Sequence, residues 1–89
     1  MSDLRDDLEA AALEELEQAA GLGWKELCGL TPWGDTFEGF TPAGRAVCFE
    51  RSYLWETVAR GDIRIEVTVY EPTAYEDGAR AARSIAKPS

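Results

Sequence analysis

The first twenty residues carry a helical rhythm. Leu4, Leu8, Ala12, Leu16 and Ala19 recur at intervals of four and three, which places them on one face of an α-helix. Asp3 or Ser2 supplies an N-cap, and Gly21 in "GLG" at 21–23 offers a left-handed C-terminal cap, so a helix is predicted over residues 3–20. The stretch that follows, "WKELCGLTPWGDTFEGF", has no clean period. Its glycines and proline divide it into a short strand, a turn at "TPWGD" and a strand at 36–41.

"TPAG" at 41–44 has proline second and glycine fourth, the pattern of a type I turn with a hairpin bulge after it. The strand that follows, "RAVCFERSYLWE", puts Val47, Phe49, Tyr53 and Trp55 on one side and Cys48, Glu50, Ser52 and Leu54 on the other. Beyond a turn in "VARGD", Ile63, Ile65, Val67 and Val69 alternate with Arg64, Glu66, Thr68 and Tyr70, the clearest half-buried strand in the chain. "PTAYEDGARAARSIAK" reads as a closing helix. Thr73 and Glu76 have capping-box spacing after Pro72, and Tyr75, Ala79, Ala82 and Ile85 make an apolar stripe. Its acids Glu76 and Asp77 come early and Arg80, Arg83 and Lys87 late, the order that suits the helix dipole. Together these elements predict an α+β fold: a three- to four-stranded antiparallel sheet with an N-terminal and a C-terminal helix packed on one face, a two-layer sandwich.

At 89 residues this is a single domain spanning 1–89, with 45% hydrophobic residues, enough for a real core. The formal net charge of −8 sets the molecule against phosphate backbones and anionic membranes and toward basic partners, so neither direct nucleic-acid binding nor membrane association is expected. Cys28 and Cys48 match no metal spacing and read as reduced, buried thiols. The acidic start "MSDLRDD" is unlike a secretory signal, and no apolar run approaches membrane-spanning length, which predicts a cytoplasmic protein.

Candidate chemistry is sparse. There is no histidine, so either cysteine would lack the usual base, and Asp35 with Glu38 in "GDTFEG" reads as turn and strand polarity. The glycines of "GLGW" lack the Lys-Ser/Thr of a phosphate loop. No catalytic residue, metal site or cofactor is expected, and the protein is read as a non-enzyme.

What remains is charge. "DLRDDLEAAALEELEQ" holds seven carboxylates and one cation, and residues 1–20 carry a net −6 against −2 for the rest. On a wheel at about 100° per residue, Asp3, Asp6, Asp7, Glu14 and Glu17 share an arc of about 100° opposite the leucines. From Asp3 to Glu17 is about 21 Å, one charge every ~4 to 5 Å against 3.4 Å per phosphate along one DNA strand. The stripe is either a solvated face that keeps a small protein soluble or a binding site for a basic nucleic-acid channel. Trp33, beside Asp35 in the "TPWGD" turn, is either an interface anchor or a ring folded back over the sheet edge.

In size, acidity and the carboxylates of "DLRDDLEAAALEELEQ", the chain resembles the small inhibitors encoded by phages and mobile elements: the anti-CRISPR proteins of type I systems and the DNA-mimic anti-restriction proteins. The resemblance implies a stoichiometric inhibitor in the bacterial host cell that occupies a basic DNA-binding surface of a CRISPR surveillance complex. Asp3, Asp6, Asp7, Glu14 and Glu17, with Trp33 and Asp35, are the candidate contacts. The other class open to the sequence is a structural or regulatory interaction protein, a homodimer through the sheet face at Leu54 and Tyr70 or an antitoxin-like partner. Either a monomer or a homodimer is compatible with the sequence.

Overall fold

Asp3 begins the first element. In the computed structural model, which describes residues 3–88, its carboxylate accepts the backbone N–H of Asp6 at 2.9 Å and caps helix α1, Leu4–Ala20. Ser2, the other candidate cap, lies outside the described residues. Gly21 does not take the left-handed role expected of it, its φ being −65°. The left-handed residue is Gly23 at φ 81°, and it opens a second helix, α2 (Gly23–Leu30), where a short strand was expected. Trp24, Leu27 and Cys28 lie at i, i+3 and i+4, a helical spacing that the surrounding glycines obscure. Leu27 and Cys28 are buried, while the Trp24 indole N–H donates to the Gly61 carbonyl at 2.8 Å.

Four strands follow: β1 (Trp33–Phe40), β2 (Ala46–Trp55), β3 (Ile63–Tyr70) and β4 (Ala79–Ile85). They form one antiparallel sheet in the order β1-β2-β3-β4. β1 starts three residues ahead of its expected position and absorbs the "WGD" of the supposed turn. The β1–β2 connection matches its reading: Gly44 sits at φ 89° and donates its N–H to Thr41 O, and Thr41 N–H donates to Arg45 O. The alternation read in β2 and β3 also holds, with Val47, Phe49, Tyr53, Ile63, Ile65, Val67 and Val69 all buried on one face. Both helices lie on that face, α1 over β3 and β4 and α2 against β3, which gives the expected α+β architecture of a helical layer on an antiparallel sheet.

The C-terminal segment departs from expectation. Residues 72–87 do not form a helix; only a 3-10 turn at Tyr75–Asp77 survives, and the chain then pairs with β3 as β4. The capping box is unused, since no side chain caps that turn. Two features decide the outcome against the helix propensity of "ARAARSIAK". β3 is buried along its whole inner face and needs a hydrogen-bonding partner on both edges, and β4 supplies the second. At the entry to β4, a Cβ on Gly78 would stand 2.8 Å from the Val69 carbonyl oxygen, so only glycine admits this approach. Ala79 and Ala81 on β4, like Ala11, Ala12 and Ala19 on α1, are small enough to bring helix and strand close together. Cys28 is buried and Cys48 half-buried, both as free thiols, so the buried-thiol reading holds fully for Cys28 alone.

Ile65 is fully buried at the centre of β3 and Leu54 is 42% exposed on the outer face. Ile65→Ala should cost about 3 kcal/mol and Leu54→Ala less than about 0.5 kcal/mol, read from urea denaturation midpoints.

Candidate functional site

The acids of α1 divide into two populations. Leu8, Ala11, Ala12, Leu16 and Ala19 point into the core, and Asp3, Asp6, Glu14 and Glu17 point to solvent as expected. Asp7 does not belong with them. It is 5% exposed, and its carboxylate accepts from the Thr41 hydroxyl, the Ala43 backbone N–H at 3.2 Å and Arg45 Nε at 3.4 Å. On the wheel it stands at the border of the exposed arc, and the β1–β2 connection folds over that border. A helical projection of one segment contains no information about a loop thirty-five residues away, which is why the sequence misplaces it.

Two further acids are neutralised internally. Glu9 pairs with Arg5 at 3.2 Å on the helix surface, and Glu15 pairs with Arg51 at 3.1 Å. Among the described residues, no ion pair engages Asp3, Asp6, Glu14 or Glu17. With Asp7 withdrawn, the stripe is two pairs of carboxylates, and Asp6 and Glu14 stand about 12 Å apart along the helix axis. Exposed Ala10 lies midway between them on that face, and Leu13, 54% exposed, stands beside Glu14 at its margin, so the surface between the pairs is apolar. The even phosphate-like pitch predicted for the stripe is therefore broken. At the other end the surface extends beyond α1, because Asp77 of the 3-10 turn borders the same shallow depression as Asp3, and Arg5 Nη1 donates to the Gly78 carbonyl at 3.1 Å. Asp77, expected as an early acid of a C-terminal helix, lies instead in the 3-10 turn, and this brings it beside the start of α1.

Trp33 and Asp35 are brought to the inner side of β1, near the sheet edge. Asp35 sits directly across from Arg51 and takes a bidentate pair from it, Nε at 2.9 Å and Nη2 at 2.6 Å. The guanidinium also lies 5.2 Å from the Trp33 ring centre and 4.7 Å from that of Phe37, and Trp33 tilts against Tyr53 at 5.1 Å. The Asp35 carboxylate and the surrounding charges raise the Arg51 pKa, and burial pushes the Tyr53 phenol up. Trp33, at 38% exposure, is thus folded back over the edge with one part still open, and the Asp35 charge is neutralised. Arg51 was not singled out in the sequence, although an arginine at an inward position of an otherwise apolar strand is a signal that it has partners.

The outer sheet face is covered by no described element. Its centre is a depression of about 370 Å³ bordered by Gly34, Thr36, Glu50, Ser52, Thr68 and Arg80, polar rather than apolar. On this face Arg64 binds Glu66 along the same strand at 2.8 Å, and Glu50 makes no ion pair among the described residues. No group of metal-ligating side chains occurs among the described residues, and no described helix is long and apolar enough to cross a membrane. Comparison of the chain with protein-family models, curated proteins and solved structures finds no match to any of them.

The Thr41 hydroxyl bond, assisted by the Ala43 N–H and Arg45 and opposed by burial, holds the Asp7 carboxyl below its ordinary value of 3.8. A carboxylate depressed in the folded state contributes stability that is fully present above the unfolded value and is lost as pH falls through the folded one. Asp7→Asn should therefore lower Tm at pH 7, and its gap to wild type should shrink below pH 3.8, measured by thermal denaturation across an acid series. Arg51→Ala removes charged hydrogen bonds to two acids; it should cost about 2 kcal/mol in urea and shift the Trp emission through Trp33.

Proposed function

We propose that the chain is a non-enzymatic inhibitor that docks the solvent face of α1 on a basic nucleic-acid-binding surface, such as the DNA groove of a type I CRISPR surveillance complex in the bacterial cytoplasm. The observation that carries this reading is the set Asp3, Asp6, Glu14 and Glu17, four carboxylates turned outward on one helix with no ion-pair partner among the described residues. Such a surface repels itself by a few tenths of a kcal/mol for each like-charged pair one turn apart, a cost that a lysine- and arginine-lined partner relieves. Only Asp3 and Asp6 are eased by the positive end of the helix dipole; Glu14 and Glu17 are not.

The shape of the surface refines the proposal. Two acidic pairs are separated by exposed Ala10, with exposed Leu13 beside Glu14, so the partner matches a pair of cationic sites with an apolar contact between them better than an unbroken phosphate track. Asp77 extends the acidic end, and half-exposed Trp33 lies over Arg51 and Tyr53 near the β1 edge. Asp7 and Asp35 hold the fold and take no part. Direct nucleic-acid binding stays outside the proposal, since the same charges repel phosphate.

The test is competition. Wild-type protein should displace double-stranded target from an immobilised type I complex, and binding should fall at least roughly tenfold between about 50 and 500 mM salt. The Asp6→Lys, Glu14→Lys, Glu17→Lys variant alters only exposed positions, so it should keep the wild-type circular dichroism, with at most the modest loss of stability that a cation in the first helical turn brings, and lose displacement. Undiminished displacement by that folded variant would sink the proposal, as would the absence of any salt dependence.

A further inference from the structure

The sheet has two edges, and they are not alike. β4 carries Arg80 and Arg83, which guard an edge by repulsion, and lies beneath α1. β1 is eight residues of "WGDTFEGF" with no lysine, arginine or proline inside it, and no described residue hydrogen-bonds to the backbone along its outer edge. The inward charge that would protect such an edge, Asp35, is cancelled by Arg51. Phe40, at 73% the most exposed large apolar side chain among the described residues, stands at its end.

We propose that β1 is a homodimer edge, where two copies pair antiparallel about a twofold axis through Phe37 and join their sheets into one of eight strands. The register follows from what faces what. A twofold pairing keeps inner residues with inner and outer with outer, so the axis must pass through a residue of β1. An axis through Glu38 would oppose two carboxylates directly, and one through Asp35 would pair only residues 33–37 and leave Phe40 without a partner strand. An axis through Thr36 would set Trp33 against Gly39 of the other copy, but the Phe49 ring already fills that place, 2.9 Å from where a Cβ would be. It would also put Asp35 against Phe37. An axis through Phe37 opposes no like charges, and the residue it sets against Gly39 is Asp35, whose carboxylate is held toward Arg51, rather than the bulky Trp33 ring. It pairs the Phe37 side chains, sets Asp35 against Gly39, Thr36 against Glu38, and lays exposed Phe40 over Gly34. No side chain within 4 Å covers the outer side of Gly34 except the Cβ of Ser52 at 3.9 Å. An aromatic side chain across from a strand glycine is a recognised stabilising pair.

Net charge does not oppose this pairing. α1 lies over β3 and β4, and at about 4.8 Å per strand the two acidic helices would stand roughly 30 Å apart at the far ends of the joined sheet. That is several Debye lengths at physiological salt, about 8 Å each. The inference is independent of what the acidic helix binds.

Sedimentation equilibrium from about 5 to 500 µM should show the 9.8 kDa chain passing into a species of twice that mass. Thr36→Lys places a cation opposite the partner copy's Glu38 and next to its own Glu50, so it should leave the dimer intact or tighten it. Glu38→Lys alone faces the partner copy's Thr36 and should also leave it intact. The double variant opposes lysines twice across the axis and should weaken the dimer at least roughly tenfold, as should Phe40→Ser, with unchanged circular dichroism in both. Leu54→Glu, on the outer face of β2 just past the start of β1 and outside the β1–β1 pairing, should change nothing. A monomer at every concentration overturns the proposal, and so does a dimer indifferent to the double variant or dispersed by Leu54→Glu.

Discussion

Everything in this molecule is arranged around β3. Ile63, Ile65, Val67 and Val69 have no exposed surface, which requires a strand on each side to satisfy the backbone and a helical layer on top to exclude water. β2 meets the first demand through a short connection. β4 meets the other edge even though its local sequence favours a helix, and α1 closes the face across both β3 and β4. A strand of four aligned β-branched residues outweighs the intrinsic preference of an Ala/Arg segment, because burial of that face is worth several kcal/mol and helix propensity only a few tenths per residue.

The same constraint sorts the charges. Asp7, Glu15, Asp35, Arg45 and Arg51 all sit on the helical side of the sheet or at its margin, and each is tied to a partner from a different element. Asp7 joins the first turn of α1 to the β1–β2 connection, and Arg51 joins α1 to β1 through β2. The carboxylates that remain without such ties are those that the helix turns away from the core. In a chain of net charge −8, an outward acidic helix is thus what is left after the fold has taken the charges it uses.

Much of this was legible in the sequence, and the failures share a cause. The 3.6-residue rhythm of α1 and the strict alternation of β3 are local signals, and both match the structure. α2 was missed because glycines at 21, 23 and 29 hide the spacing of Trp24, Leu27 and Cys28. β4 was missed because a strand made of Ala, Arg and Ser becomes one only when a free edge waits for it, and that edge is a tertiary fact. Asp7 was placed in the outward stripe for the same reason: its burial is decided by Thr41, Ala43 and Arg45. Four of the five helix acids chosen as contacts do face solvent; Asp35 does not offer a free charge, and Asp77 became visible only when the last helix dissolved into a turn.

The docking of α1 on β4 sets an order of events during synthesis. The helix leaves the ribosome ahead of every strand of the sheet, yet half of the platform that it covers is made only after the other three strands. Until residues 79–85 emerge, α1 has no complete surface to lie on, and its leucines wait on a chain whose inner β3 face is equally uncovered. Final closure joins segments whose nearest ends, Ala20 and Ala79, lie about 59 residues apart, so it is a high-contact-order step that cannot begin early. The dense negative charge on the waiting helix sets two half-made chains against one another by like-charge repulsion while their cores are open.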